Sequence, residues 1–490
     1  MATNNTRQAA WVAIGSLFSY GFLLLSSIIL SRQFNKEDYG TFQQVLYVYQ
    51  SLLAVFTLGL PKAYSYFLPK INPEEAKDVI NKITNIFFIL GALFSGFLFV
   101  SAPLIANFLN NAELRTAIKL FSPVPFFILP TMGIEGILAT YRKTRLLALY
   151  TATTKFIMLC CIVLPTLLWN GGYEHSIIGM GLSSFFSFIL AIVLKYYPVR
   201  GFQHGKSELK YKQIFSFSLP LLYASIGGIL INSTDQFFIS RYFGRKAFAE
   251  FSNGAFELPF ATLVISATST VLLPMCSKLA EDRVKGISQI RDIWISTFRK
   301  SSMIIYPIII FCVFYADRIM EILYGIDYIA SGDYFSTKVI VNFTKVLPYA
   351  SILIAFGAVT YYAKTMLFTF IVLSISEYIA IVLGASPIWL VGIHTFYVSL
   401  QAIVFIKYIA KKTSTPLSQL IPWRALLNII LIAIICSVLT IIKDYALDIT
   451  MDKYSSLILN IILYSSLYLL FCHLAGINYL EVIRPIIRNK

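Results

Sequence analysis

Uninterrupted apolar runs of about 18–25 residues, separated by short polar connections, organise the chain from one end to the other. A helix needs about 20 such residues to cross roughly 30 Å of hydrocarbon. Strands of a membrane barrel would instead alternate apolar and polar positions over segments of about ten residues, and neither Leu147 to Trp169 nor Leu457 to Cys472 alternates. The pattern predicts an all-α membrane protein of about fourteen transmembrane helices. They fall at roughly 10–31, 41–61, 83–106, 118–139, 147–168, 176–194, 214–240, 252–275, 301–323, 339–363, 366–384, 388–407, 422–442 and 455–474. The longest connections, near 195–213 and 276–300, reach only about 20–25 residues, too few for a soluble catalytic domain. The polar start Met1 to Gln8 leads into a run too long for a signal-peptide core, with no A-x-A site closing it, so the first helix is expected to be retained.

Composition agrees: 57% of the 490 residues are hydrophobic and 13% are charged, with a mean hydropathy of +0.73. A water-soluble globule carries about twice that charge. The formal charge of +16 would suit a nucleic-acid partner, but its distribution argues against one. With the N-terminus in the cytoplasm, the inner loops hold about 27 Lys and Arg and the outer ones about 10, the bias that orients membrane proteins. Both termini are then cytoplasmic. The six cysteines lie in or beside apolar runs without metal-type spacing, and the four histidines are scattered. No GxxxxGK[ST] loop is present, so no ATPase, cofactor or metal is expected.

An internal repeat is visible. Ser31 to Phe42 aligns without gaps on Ser240 to Phe251, matching Ser, Arg and two Phe, with Lys36 opposite Arg245. A second echo pairs Ile105 to Leu109 with Ile319 to Leu323. Six helices, an even number, separate the copies, so the two halves run in parallel about an axis along the membrane normal. The expected organisation is two six-helix lobes, 1–200 and 201–412, followed by two further helices and a cytoplasmic tail in 413–490.

Four segments resemble the polysaccharide-transport, O-antigen flippase branch of the multidrug/oligosaccharidyl-lipid/polysaccharide (MOP) exporter superfamily. They are Ser31-Arg32 with Tyr39-Gly40-Thr41-Phe42, Asn232 to Asp235, Val271 to Pro274 with Ser277, and Ile319 to Tyr328. The second repeat departs from the pattern with Phe248-Ala249. The resemblance implies a V-shaped pair of lobes that alternate access. The implied cargo is an oligosaccharide on undecaprenyl diphosphate, moved from the cytoplasmic to the periplasmic leaflet of the bacterial inner membrane and coupled to a proton or sodium ion. A polysaccharide polymerase and glycosyltransferases are the implied partners. A cation-coupled multidrug exporter of the same fold is the alternative. A membrane polysaccharide-assembly enzyme is another, disfavoured by the short external loops.

A diphosphate sugar cannot cross hydrocarbon unaided, and ionisable residues inside spans mark the polar path it needs. Lys155, about nine residues into its helix, is the sharpest candidate for meeting the diphosphate; an internal ion pair with Glu135 is the competing reading. Lys119 either meets cargo or snorkels to the interface. Arg32 and Arg241, related by the repeat, either tie their turns or gate the outer mouth. Asp235 and Glu257 sit at similar depth and are the candidate ion-coupling pair, since close carboxylates can share a proton. The alternative is pairing with Arg241, Arg245 or Lys246. Glu135 and Glu377 are further candidate proton carriers. Three prolines, Pro123, Pro125 and Pro130, predict a strongly bent fourth helix.

Overall fold

The structure, a computed structural model, describes residues 2–202, 205–256, 258–280, 285–446 and 452–479. Every regular element among them is a helix. Ten helices are long and apolar enough to cross a membrane, and twelve if each of two bent pairs counts as one span. The two other expected spans fall on a 21-residue helix, Pro259–Leu279, and on a broken run between 331 and 355. The chain forms two compact units, Met1–Ser252 and Asn253–Lys490.

The first unit begins with α1 (Ala2–Gln33), α2 (Lys36–Thr57), the short α3 (Ala63–Phe67) and α4 (Ala76–Phe108). Asn35 caps α2, its Oδ1 accepting from the Asp38 amide at 2.9 Å. At the other end Leu58 and Gly59 both take positive φ, 50° and 71°, and the chain bends by 55° into the following segment. The expected fourth helix is broken into α5 (Leu114–Phe121), α6 (Val124–Ile128) and α7 (Ile134–Thr140). Prolines 123, 125 and 130 each remove a backbone donor, and Gly133, at φ 77°, makes the last corner. The long α8 (Thr144–Trp169) packs along α1 on one side and α9 (Tyr173–Tyr196) on the other. α10 (Tyr211–Tyr242), which bends by 42° near Tyr223, packs against α2 and leads into α11 (Gly244–Gly254). Stacked rings fill the space between α2 and α4, with Phe56 and Phe94 at 4.2 Å and 5°.

In the second unit, α12 (Pro259–Leu279) and α13 (Lys285–Phe314) are followed by α14 (Ala316–Tyr324), α15 (Ser331–Val339) and α16 (Tyr349–Ala355). Then come α17 (Val359–Val382), α18 (Pro387–Lys412), the single turn α19 (Leu417–Leu420), α20 (Trp423–Ala446) and α21 (Lys453–Leu474). α17 and α18 form a hairpin, α20 packs along α13, and α21 packs on α20.

Two of these packings form where a proline frees a carbonyl, one by a hydrogen bond and one by close approach of a glycine. In hydrocarbon no water pairs a carbonyl that a proline has orphaned. Pro307 inside α13 cannot donate to Met303, and the Tyr479 hydroxyl donates to the Met303 carbonyl instead, at 2.7 Å. Pro165 inside α8 orphans the Cys161 carbonyl in the same way. Gly179 of α9 lies so close to it that a Cβ there would stand 2.0 Å from the oxygen. Only glycine admits that approach.

Tyr479→Phe keeps the ring and removes the donor to Met303. Leaving the carbonyl unpaired should cost about 1–3 kcal/mol, read as a lower melting temperature of the purified protein in detergent. A wild-type melting temperature would show that the bond contributes nothing.

Candidate functional site

The two copies of the sequence repeat meet inside the first unit. Lys36, in the first turn of α2, forms an ion pair with Glu250 of α11 at 2.6 Å. Arg245 of α11 pairs with Glu37 of α2 and with Glu113, just before α5, both at 2.6 Å. Lys246 also reaches Glu37, at 3.2 Å. The repeat-equivalent cations Lys36 and Arg245 therefore each hold an acid of the other copy. Beneath the charges, Gln44 donates to the buried Ser240 hydroxyl at 2.8 Å, and Asn111 donates to Thr41 and Gln44 at 3.1 and 2.6 Å. Gly40 brings the two elements together, since a Cβ there would stand 2.1 Å from the Arg245 carbonyl oxygen. Further along the same helices, the hydroxyls of Ser51 in α2 and Ser233 in α10 lie 3.2 Å apart.

The residues singled out from sequence lie on several different elements. Asp235 is fully buried in α10, its Oδ1 accepting from the Gln236 amide at 2.9 Å. The cations considered for it are engaged elsewhere. Arg245 and Lys246 hold Glu37 and Glu113, and Arg241 donates to the Phe108 carbonyl at the C-terminal end of α4. There Arg241 meets one of the carbonyls a helix end leaves unpaired, and its guanidinium lies 5.1 Å from the Phe108 ring centroid. Arg32 is exposed in the last turn of α1. In the turn after it, Tyr39 OH sits 2.7 Å from both Ser27 Oγ and Gln43 Nε2. Lys119 is half-buried in α5, 5.3 Å from the Phe99 ring centroid.

Lys155 lies in the middle of α8, half-buried, with its Nζ 3.9 Å from the Met158 sulfur. It forms no ion pair with Glu135. Glu135 is exposed in the first turn of α7, just after the left-handed corner at Gly133. Glu377 is fully buried in α17. Glu257 lies outside the described residues.

One buried cation escapes a sequence reading. Lys195, which the loop pattern assigns to a polar connection, ends α9 and is completely buried. Its Nζ donates to the Met132 carbonyl at 2.8 Å and to Tyr64 OH at 3.0 Å, and sits 4.6 Å from the Tyr64 ring centroid. Tyr64 OH lies in turn 2.8 Å from Thr84 Oγ1. Met132 precedes the corner at Gly133, so the ammonium meets a carbonyl that the helix break has freed. In the second unit, α13, α20 and Phe343 line an apolar cavity of about 380 Å³, with Tyr306, Ile310, Trp423 and Ile430 among its walls.

The family described as "Polysaccharide biosynthesis protein" matches residues 29–333, more than half of the chain. An uncharacterized membrane protein of Methanocaldococcus jannaschii is 20% identical over 352 residues, 66% of this chain and 68% of that protein. The capsular polysaccharide biosynthesis protein CapF of Staphylococcus aureus is 23% identical over 277 residues, 54% of this chain and 63% of CapF, so the chain matches somewhat less than two thirds of that relative. Among solved structures, the lipid II flippase MurJ in an inward closed conformation superposes with a TM-score of 0.71 at 16% identity, covering 97% of this chain and 99% of that one. An inward-facing multidrug resistance MATE transporter of the MOP superfamily gives 0.64 at 13% identity, covering 83% and 98%. The fold is therefore the MOP fold.

The crossed ion pairs yield an expected outcome. Arg245 is 25% exposed and its acids 41% and 46%, so the network adds little to global stability. Arg245→Gln should cost about 1 kcal/mol or less, yet free α2 from α11. A single cysteine at Ser233, with the native cysteines removed, should then react several-fold faster with a membrane-impermeant maleimide. Unchanged labelling would mean that these pairs do not hold the end closed.

Proposed function

The chain belongs to the family of polysaccharide biosynthesis proteins, and on that premise we propose that it is a flippase for an oligosaccharide linked to a polyprenyl diphosphate. In this reading it carries the undecaprenyl-diphosphate-linked cargo from the cytoplasmic to the periplasmic leaflet of a bacterial inner membrane, with both termini in the cytoplasm. Access alternates, and the crossed pairs between α2 and α11 close the periplasmic mouth while the cargo enters from the cytoplasm.

The observation that carries the reading is Lys155, a cation in the middle of an apolar helix with no ion pair to a described carboxylate. A cation at that depth is costly unless it faces a polar cavity or an anion, and a diphosphate is an anion able to meet it there. A cationic drug would be repelled by the same charge, which disfavours multidrug export. Lys119 contributes a second positive charge toward the path, while Arg32 and Arg241 flank its mouth. The apolar cavity along α13 and α20 suits the prenyl chain. Asp235 carries the coupling proton or sodium ion, with Glu257 and Glu135 as its partners in exchange. A polymerase and glycosyltransferases act on either side of the transported unit.

Lys155→Met removes the charge at similar length. In a strain lacking the native gene it should leave the protein in the membrane but cut transport at least tenfold, with the complete repeat unit accumulating on the cytoplasmic face. Lys155→Arg should retain part of the activity, because the charge remains although the guanidinium differs in shape. Full transport by Lys155→Met would remove Lys155 from the cargo path.

A further inference from the structure

The second unit contains a basic cavity that the transport reading leaves unused. It measures about 720 Å³ and is lined by five residues, Tyr361 of α17 and Lys407, Tyr408, Lys411 and Lys412 of α18. The spacing explains the convergence. Lys407 and Lys411 are four residues apart, as are Tyr408 and Lys412, so each pair stacks along one side of the helix. Tyr361, near the start of α17, faces the end of α18 across the hairpin. Its ring stacks on Tyr408 at 4.3 Å and 24°. The Lys412 Nζ lies 5.8 Å from the Tyr408 centroid.

The chemistry of this lining is one-sided. Three lysines and two tyrosines line one concavity, and no carboxylate is among its walls. None of the three lysines forms an ion pair with a described residue. Lysines at a helix C-terminus are favoured by the helix dipole alone, but that does not require a cavity or a stacked pair of rings as its wall. The cavity sits at the end of two helices that are both candidate membrane spans, Val359–Val382 and Pro387–Lys412. That is the headgroup level, where tyrosine is favoured and basic pockets between helices take anionic headgroups. Lys407 lies five residues inside the end of α18, roughly 7.5 Å deeper than Lys412. The charges therefore form a ladder descending from the water toward the acyl chains, which matches a phosphodiester attached to a glycerol backbone better than an ion free in solution.

We propose that Lys407, Lys411 and Lys412, with Tyr361 and Tyr408, form a binding site for the phosphate headgroup of an anionic membrane phospholipid. The ammonium groups meet the phosphate oxygens, the hydroxyls donate to the remaining acceptors, and the stacked rings support the glycerol. The proposal does not depend on what the protein transports.

The test uses the full-length purified protein in an uncharged detergent, with bound lipid counted by native mass spectrometry. Phosphatidylglycerol should be retained at least tenfold more tightly than phosphatidylcholine. The triple variant Lys407→Gln, Lys411→Gln, Lys412→Gln should lose that preference, since each lysine near a membrane surface is worth about fivefold. Tyr361→Phe with Tyr408→Phe keeps the rings and should weaken retention several-fold. A control triple variant at and before the start of α10, Lys206→Gln, Lys210→Gln and Lys212→Gln, should keep the preference, which separates a local site from total charge. Equal retention of the two lipids, or a preference surviving in the Lys407 triple variant, would overturn the proposal. Displacement of phosphatidylglycerol by an equal concentration of inorganic phosphate would also overturn it, by making the site one for a soluble anion.

Discussion

A polar group inside the hydrocarbon has no water to turn to, and this constraint accounts for much of the structure. Three irregularities in the helices are matched by particular neighbours. Tyr479 supplies the donor that Pro307 denies to Met303, and Gly179 lets α9 close over the carbonyl that Pro165 frees. Lys195 meets the carbonyl of Met132 at the corner that splits the fourth span. The breaks are thereby fixed in place, and fixed breaks allow a mostly apolar bundle to hold polar side chains at defined depths.

The crossed pairs at the repeat follow the same logic under different conditions. Lys36, Glu37, Arg245 and Glu250 are partly exposed, so their attraction is screened and modest. They add little to global stability. The specificity comes from beneath them, where Asn111, Gln44, Thr41 and Ser240 form a buried hydrogen-bonded set and Gly40 permits close approach. A weak charged rim lies over a shape-selective polar floor that fixes the register of the two copies.

Run lengths made the class and the order of the helices legible in the sequence, because crossing a membrane imposes a fixed length on every apolar segment. The three prolines likewise foretold the broken fourth span. Side-chain direction was not legible. Lys195 reads as a loop cation because it ends an apolar run, yet it stays in α9 and is completely buried. Glu135 reads as a neighbour of Lys155 because their spans are consecutive, but the corner at Gly133 leaves it exposed. The alignment of Lys36 with Arg245 was visible, whereas their exchange of acids depends on contacts more than 200 residues apart in sequence.

The most direct measurement is flipping itself. Proteoliposomes holding the purified protein and a fluorescent oligosaccharide on polyprenyl diphosphate, placed in the inner leaflet, can be exposed to a membrane-impermeant glycosidase. A flippase makes the inner-leaflet sugar accessible in minutes, while protein-free vesicles protect it for hours. Equal protection with and without the protein would contradict a role in moving the lipid-linked sugar across the bilayer.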